Sequence, residues 1–437
     1  MFWSAVQGGF TKSMGGVTSA VPTATSGNGA AEIDSRESLS SAGHMIASHA
    51  GRPERARSLR ILLVTEYSPF AEKSFGAQQR SLLLWSALGK AGDVDILLLR
   101  PGSVSETLPV NDSRVTLEAS YRNLLGGLHR YKPDRALTRA IDGKLNLSRY
   151  DLICSRHLQP ISKIAVDTGQ RVIVDLDDAC YIYSSHGSRV RRAVAAVKGL
   201  VRRRMVRAAM RRFDRFWFVS DRDRAAFPDV QGDVLPNVPM ARHQLPPSDP
   251  GSRALLFVGA LWYGPNVEAV DWFLAKVWPV VRAAVTGSEL IIVGGGPRER
   301  LERWSCNPGV RAVGFVDDVV PVYEQCAFTI VPIHSGGGTN IKLLESLALG
   351  RTCVTTPFCA RAFAPRLWAD QHFLAADDRG FARDCIRLLN DPTYRELLAS
   401  QGGEAVRQHF GVDRFEQAVL QQVELALKTP SKERRSE

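Results

Sequence analysis

Residues 331–350 read VPIHSGGGTNIKLLESLALG. An apolar, strand-like run, FTIVPI (328–333), leads into three consecutive glycines, Gly336 to Gly338, and then into the strongly helical NIKLLESLALG. In an open parallel sheet, ligands bind outside the carboxyl ends of the strands, which is where this loop falls. Backbone N–H groups at a helix start are unpaired and carry the positive end of the helix dipole, so they suit a phosphate. Glycine lets the backbone approach an oxyanion with no Cβ in the way. Lys342 falls in the first helical turn and Glu345 three residues on, so both project from about the same face. A cation opposes the bare dipole there, and a phosphate seated between the two turns that repulsion into attraction. A carboxylate one turn further in can accept hydrogen bonds from sugar hydroxyls. The plain alternative is a glycine-rich turn beside an exposed Lys342–Glu345 pair.

Working outward, the runs ALLFVG (254–259), ELIIVGG (289–295), VRAVGFV (310–316), FTIVPI, TCVTTP (352–357) and HFLAAD (372–377) are separated mostly by helical segments. An earlier series comprises LRILLVTEYS from Leu59, VDILLLR, DLICS (151–155), RVIVDLD (171–177) and FWFVS (216–220). Continuous apolar strands alternating with helices imply parallel sheets covered on both faces, and right-handed crossovers make them doubly wound. The predicted fold class is therefore α/β: two Rossmann-like doubly wound parallel-sheet domains facing across a cleft. The expected boundaries are 59–240 for the first domain, 241–252 for a Pro- and Ser-bearing linker, and 253–411 for the second. An amphipathic helix over 412–428 either closes the second domain or reaches back to the first. Residues 1–58, rich in Ser, Gly, Ala and Thr without periodicity, and 429–437 read as disordered tails.

Composition narrows the function classes. Hydrophobic content of 44% and charged content of 23% are those of a soluble globular protein. No apolar run approaches the roughly 18 residues of a membrane span, and the N-terminus lacks the basic-then-apolar order of a secretory signal. Seven scattered cysteines without a C-x-x-C pair argue for a reducing compartment rather than a disulfide framework. These features together predict a cytoplasmic protein. The net charge of +11 is concentrated: between Arg189 and Arg215 stand eleven basic residues and one acid, Asp214. Within that stretch Val190, Val194, Val197, Val201, Met205 and Ala208 recur at helical spacing. Such a helix either packs its apolar stripe on its own sheet or lies against anionic lipid, which would place the protein on the inner face of the plasma membrane. Nucleic acid is not expected, since no aromatic platform or recognition motif accompanies the arginines.

A resemblance adds to this reading. LLFVGALWYGPNVEAVDWF, LIIVGGGP, VRAVGFVDDV and GGGTNIKLLESLALG, in that order over residues 254–360, resemble the C-terminal domain of retaining glycosyltransferases of family 4 (glycosyl transferases group 1), which have the GT-B fold. FGAQQRSLLLWSALGKAG, RFWFVSDRDRAAF and VLPNV resemble the N-terminal half of the same family more loosely. The resemblance implies that Glu345 holds a donor ribose. It implies that Gly336, Gly337, Gly338, Thr339, Asn340 and Lys342 surround the donor diphosphate and sugar. Gly314, Phe315 and Val316 would flank the nucleobase, and Gly76 with Gln78 would form a loop facing the phosphates and the acceptor. Two departures stand out. Gly337 occupies the earlier of two positions, with seven residues between them, at which many members carry carboxylates. Ala260 and Pro265 stand where many carry an Arg and a Lys.

His157 follows DLICS at a strand end that should face the cleft, where family members often have a donor-sugar histidine; a structural histidine is the alternative. Asp175, Asp177 and Asp178 end the next strand, and Asp177 or Asp178 is a candidate acceptor contact or general base; the alternative is capping of the segment that follows. LIIVGGGP lacks the full G-x-G-x-x-G spacing, so NAD binding is not expected. The combined expectation is a retaining, metal-independent hexosyltransferase with no cofactor. His157, Lys342 and Asp177 would carry the chemistry, acting on a nucleotide-diphosphate sugar and a glycan or lipid-linked acceptor in bacterial envelope or exopolysaccharide synthesis. The alternatives are a nucleotide-sugar epimerase of the same fold and a non-enzymatic basic scaffold binding membrane or nucleic acid.

Overall fold

The computed structural model describes residues 58–70, 76–122, 130–167, 169–177, 189–241 and 243–429. Both expected tails, apart from Ser58 and Thr429, and also Asp178 and Cys180, lie outside the described residues. The first half begins with β1 (Leu59–Thr65), α1 (Gly76–Gly89), β2 (Gly92–Gly102), β3 (Glu106–Leu108), β4 (Leu117–Arg122) and α2 (Arg135–Leu145). It continues through β5 (Leu152–Arg156), α3 (Leu158–Ser162), β6 (Arg171–Leu176), α4 (Arg189–Met210), β7 (Arg215–Phe218), α5 (Asp221–Ala225) and β8 (Gly232–Val234). The second half has β9 (Ala254–Val258), α6 (Gly264–Lys276), α7 (Trp278–Ala284), β10 (Glu289–Val293), α8 (Arg298–Ser305), β11 (Val310–Gly314) and α9 (Val320–Gln325). Then come β12 (Phe328–Val331), α10 (Ile341–Ala348), β13 (Cys353–Thr355), α11 (Pro357–Ala360), β14 (Leu374–Ala375), α12 (Gly380–Asn390), α13 (Pro392–His409) and α14 (Val412–Lys428).

Two sheets result, in the orders β3-β4-β2-β1-β5-β6-β7-β8 and β11-β10-β9-β12-β13-β14. Every pairing is parallel except β3 with β4. The central strands are buried on both faces: Ile61 to Val64 and Leu255 to Phe257 are fully inaccessible. That double burial is why they read as unbroken apolar runs. Strand order reverses between β1 and β5 in one sheet and between β9 and β12 in the other. Crevices open at such reversal points, outside the carboxyl ends of the strands. The glycine loop follows β12, at one of them.

The amphipathic α14 reaches back to the first half. Phe415, Val419, Val423 and Ala426 join one buried cluster with Leu84, Leu88 and Trp217. The Pro-bearing segment between the halves is fastened to the second one. Arg351 Nη1 donates to the Pro246 carbonyl at 2.8 Å, and Arg395 Nη2 donates to that of Asp249 at 2.9 Å. Helix α4 departs from the packed reading of its stripe. Only its C-terminal end, through Val206, Ala209 and Met210, joins the core. Val190, Val194, Val197, Leu200 and Val201 are 46–72% exposed.

Candidate active site

The glycine loop is held from its own side first. The buried Thr329 and Ser346 hydroxyls meet at 2.6 Å and fix α10 to β12. Asn340 Nδ2 donates to Cys359 Sγ at 3.1 Å, and Ser335 Oγ reaches Glu268 at 3.4 Å. Gly336 and Gly338 have φ of 118° and 65°, conformations that L side chains rarely adopt. Helix α10 buries Leu343, Leu344 and Leu347, which leaves Lys342 and Glu345 on the face turned from the core.

Lys342 Nζ donates to Asn266 Oδ1 at 3.1 Å and lies 5.8 Å from the centre of the Phe257 ring. Burial lowers its ammonium below the ordinary value, an effect that Cys359 and Glu345 only partly offset. Burial raises the Glu345 carboxyl to about 7, against the opposing pull of Lys342. Among the described residues that carboxylate receives no hydrogen bond. An anion placed against Lys342 favours its charged form, and hydroxyl donors placed against Glu345 do the same for the carboxylate.

The opposite wall is an ionic lattice in the first half. Arg80 grips Asp175 with Nε at 2.8 Å and Nη2 at 2.6 Å. Arg156 Nη1 shares Asp175 at 2.8 Å while its Nη2 reaches Asp177 at 3.3 Å. Burial alone would raise both carboxyls. The arginines more than offset it, holding Asp175 near about 2 and Asp177 below its ordinary range. Arg80 Nη1 also donates to Asn237 Oδ1 at 3.0 Å, and Asn237 Nδ2 donates to Thr339 Oγ1 at 2.8 Å across the cleft. Arg222 Nη2 donates to the Gly338 carbonyl at 3.3 Å, and Arg366 pairs with Asp221. A Cβ built on Gly338 would stand 2.5 Å from the Asp177 carbonyl oxygen. The loop is therefore clasped between the two halves.

His157 sits at the carboxyl end of β5 with φ 67° and ψ 151°, a combination almost confined to glycine. Three contacts hold it. Its N–H donates to the Asp175 carbonyl at 2.9 Å, its carbonyl accepts from Ser155 Oγ at 3.1 Å, and Tyr67 lies edge-on. Its Nδ1 is 3.7 Å from Glu66, whose Oε1 accepts from the Tyr121 hydroxyl at 2.5 Å. Gly76 opens α1 and Gln78 lies in its first turn, after a loop of which 71–75 fall outside the described residues. Phe315, just past β11, is 57% exposed, whereas Val316 is half-buried against the neighbouring apolar cluster. Gly294 and Gly296 are needed for close packing: Cβ atoms there would meet the Gly259 carbonyl oxygen at 1.8 Å and Leu261 Cβ at 2.6 Å. Among the described residues no cluster of three or more His, Cys, Asp or Glu has metal-site geometry.

Residues 252–391 match the family model of glycosyl transferases group 1. Sucrose-phosphate synthase from Thermosynechococcus elongatus superposes with a TM-score of 0.61 at 14% identity, covering 84% of this chain and 98% of that one. OtsA gives 0.58 at 11% identity, covering 85% and 99%. Anabaena HepE in complex with UDP-glucose gives 0.55 at 13% identity, covering 84% and 99%. The fold is GT-B. No curated protein matches the sequence. On the GT-B frame, the second sheet carries the group 1 signature and the loop–α10 site. The first sheet brings His157, Asp177 and the α1 start to the facing wall. Sequence reasoning singled out both sides but missed Arg80, Arg156 and Asn266, which brace each side from within, and Arg222 and Asn237, which join them. Arg156 and Asp175 did leave a signal, as charges closing apolar strands, where burial demands a partner.

Proposed function

We propose that the protein is a retaining, metal-independent glycosyltransferase of family 4 that moves a sugar from a nucleotide-diphosphate donor to a glycan or lipid-linked acceptor. The observation that carries this reading is the glycine loop, with Lys342 and Glu345 on one face of the helix behind it and His157 and Asp177 on the wall opposite. That UDP-glucose binds the GT-B neighbour HepE supports a nucleotide sugar here too. The loop amides and Lys342 would receive the diphosphate, Glu345 the ribose hydroxyls, and Phe315 with Val316 the base. His157, in its strained conformation, would meet the donor sugar. Asp177, ion-paired and held ionised, suits accepting hydrogen bonds from substrate hydroxyls better than carrying a proton. Gly76 and Gln78 would face the phosphates and acceptor. The ligand-bound state raises stability, so a thermal-shift screen of the full chain across UDP-, ADP- and GDP-sugars is the first test. Turnover in EDTA and the anomeric configuration of the product test metal independence and retention. Epimerisation of the donor without acceptor, or no shift with any nucleotide sugar, would sink the reading.

The exposed valine stripe of α4 favours a second component, docking on an anionic membrane. Val190, Val194, Val197 and Val201 face solvent beside the exposed Lys198, Arg203 and Arg204, the pairing that an anionic interface accommodates. Among the described residues no helix is long and apolar enough to cross a membrane. This location fits a lipid-linked acceptor and envelope glycan synthesis. Co-sedimentation with phosphatidylglycerol vesicles, but not phosphatidylcholine vesicles, is expected for the full chain and is lost in V194D/V197D. Equal recovery of the variant would count against it.

A further inference from the structure

The seat holds one half-buried lysine, yet a departing nucleoside diphosphate bears more than one negative charge. Lys342 is itself shared with Asn266. A second cation is present, and it comes from the other half. Arg222 follows Ser220, which caps α5 by accepting from the Asp223 N–H at 3.1 Å. That cap fixes the direction in which the side chain leaves. The guanidinium lies 5.6 Å over the Phe358 ring, which guides it without neutralising it. Its Nη2 donates to the Gly338 carbonyl at 3.3 Å and pairs loosely with Asp223 Oδ1 at 3.5 Å. Its Nε is buried and has no hydrogen-bond partner among the described residues. A guanidinium presents five donors in a rigid fork that matches phosphate oxygens. This one reaches the glycine loop with most of that fork unused.

We propose that Arg222 is the second cation for the diphosphate, supplied across the cleft to the loop that Lys342 serves from behind. The assignment rests on the nucleotide-sugar reading above. In the reaction the anomeric C–O bond breaks and its electron pair goes to the diphosphate oxygen. The acceptor hydroxyl oxygen bonds the anomeric carbon, and its proton leaves with the diphosphate. Arg222 stabilises the charge that grows on that oxygen, so it acts on kcat as well as on binding. Because it belongs to the first half, it reaches the leaving group only when the halves are apposed. Closure and leaving-group stabilisation become one event.

Calorimetric titration of the full chain with UDP, ADP and GDP, and with UMP, AMP and GMP, separates the possibilities. For whichever base binds, Arg222→Ala should weaken the diphosphate by roughly tenfold or more while leaving the monophosphate nearly unchanged. Arg222→Lys should recover part of the loss. In turnover the alanine variant should lose about a hundredfold in kcat. Asn237→Ala, which cuts a cross-cleft tie to the same loop without removing a cation, should change both nucleotide classes alike. A diphosphate affinity unchanged in Arg222→Ala, or an equal loss for both classes, overturns the Arg222 assignment alone. Wild-type protein that binds none of the diphosphates overturns the nucleotide reading together with it.

Discussion

Gly338→Ala adds one methyl group at the point where the halves touch. The new Cβ would stand 2.5 Å from the Asp177 carbonyl oxygen and 3.1 Å from its Oδ1. Ordinary contact begins near 3.4 Å, so the loop or the facing wall must retreat by about 0.9 Å. The wall is a poor candidate to move, because Asp177 is bound to the fully buried Arg156. The loop must therefore shift or the cleft must open, and either change displaces the amides that would receive the diphosphate. A misplacement of about 1 Å costs on the order of 10²-fold in rate. A separate, smaller cost comes from φ 65°, since the left-handed conformation disfavours alanine by about 1–2 kcal/mol. Asparagine tolerates that conformation but carries the same Cβ. Steady-state kinetics should thus show both Gly338→Ala and Gly338→Asn near one-hundredth of wild-type kcat, with Asn the more stable in thermal melts. Wild-type turnover in the alanine variant, or rescue by asparagine, would refute the collision argument.

Three further outcomes follow from the site. The folded chain holds the Glu345 proton up to about 7 against 4.5 ordinarily, so it binds more protons than the unfolded chain between these values. Stability therefore falls as pH rises through that window, with Lys342 and Tyr323 the groups facing the carboxyl. Glu345→Gln mimics the protonated form: its melting temperature should match wild type at pH 5 and exceed it at pH 8, while nucleotide binding is lost. His157→Gly should remove a backbone strain of about 1–3 kcal/mol, less roughly 1 kcal/mol for the added freedom of the unfolded chain. Denaturant titration should then find it more stable than His157→Ala, with both variants inactive; equal midpoints would show that the backbone stores no strain there. Arg80→Ala leaves Asp175 buried and half-paired, and should cost about 3–5 kcal/mol of stability, read from the same denaturant midpoint.

The parallel strands were legible because burial on both faces leaves an apolar run with no alternation. Strands β3, β4 and β8 were not. Leu117–Arg122 reads as polar, LEASYR, although Glu118 and Ser120 are buried, with Glu118 lying 3.9 Å from Arg100. Lys342 and Glu345 were legible because helical spacing alone puts them on one face. The far wall depends on residues up to 157 positions apart, such as Arg80 and Asn237, and nothing local records that pairing. The stripe of α4 shows the converse. Its periodicity was plain, but whether valines at that spacing meet protein or solvent is decided by what the rest of the chain brings near them.

The distribution of charge at the cleft explains why these long-range pairs matter. On the glycine-loop side the ionisable groups are electrostatically unsettled, with Lys342 lowered and Glu345 raised by burial. On the facing side Asp175 and Asp177 are settled, each held ionised by arginines. A ligand therefore gains most where the protein has left its own charges poorly paired, and least where they already pair with one another. The settled wall instead keeps Asp177, Asn237 and Arg222 at fixed positions against the loop. Rigidity on one side makes the close fit at Gly338 consequential, while poor pairing on the other is what the proposed diphosphate would relieve. Breaking the lattice should consequently impair turnover even in variants whose glycine loop, Lys342 and Glu345 are intact.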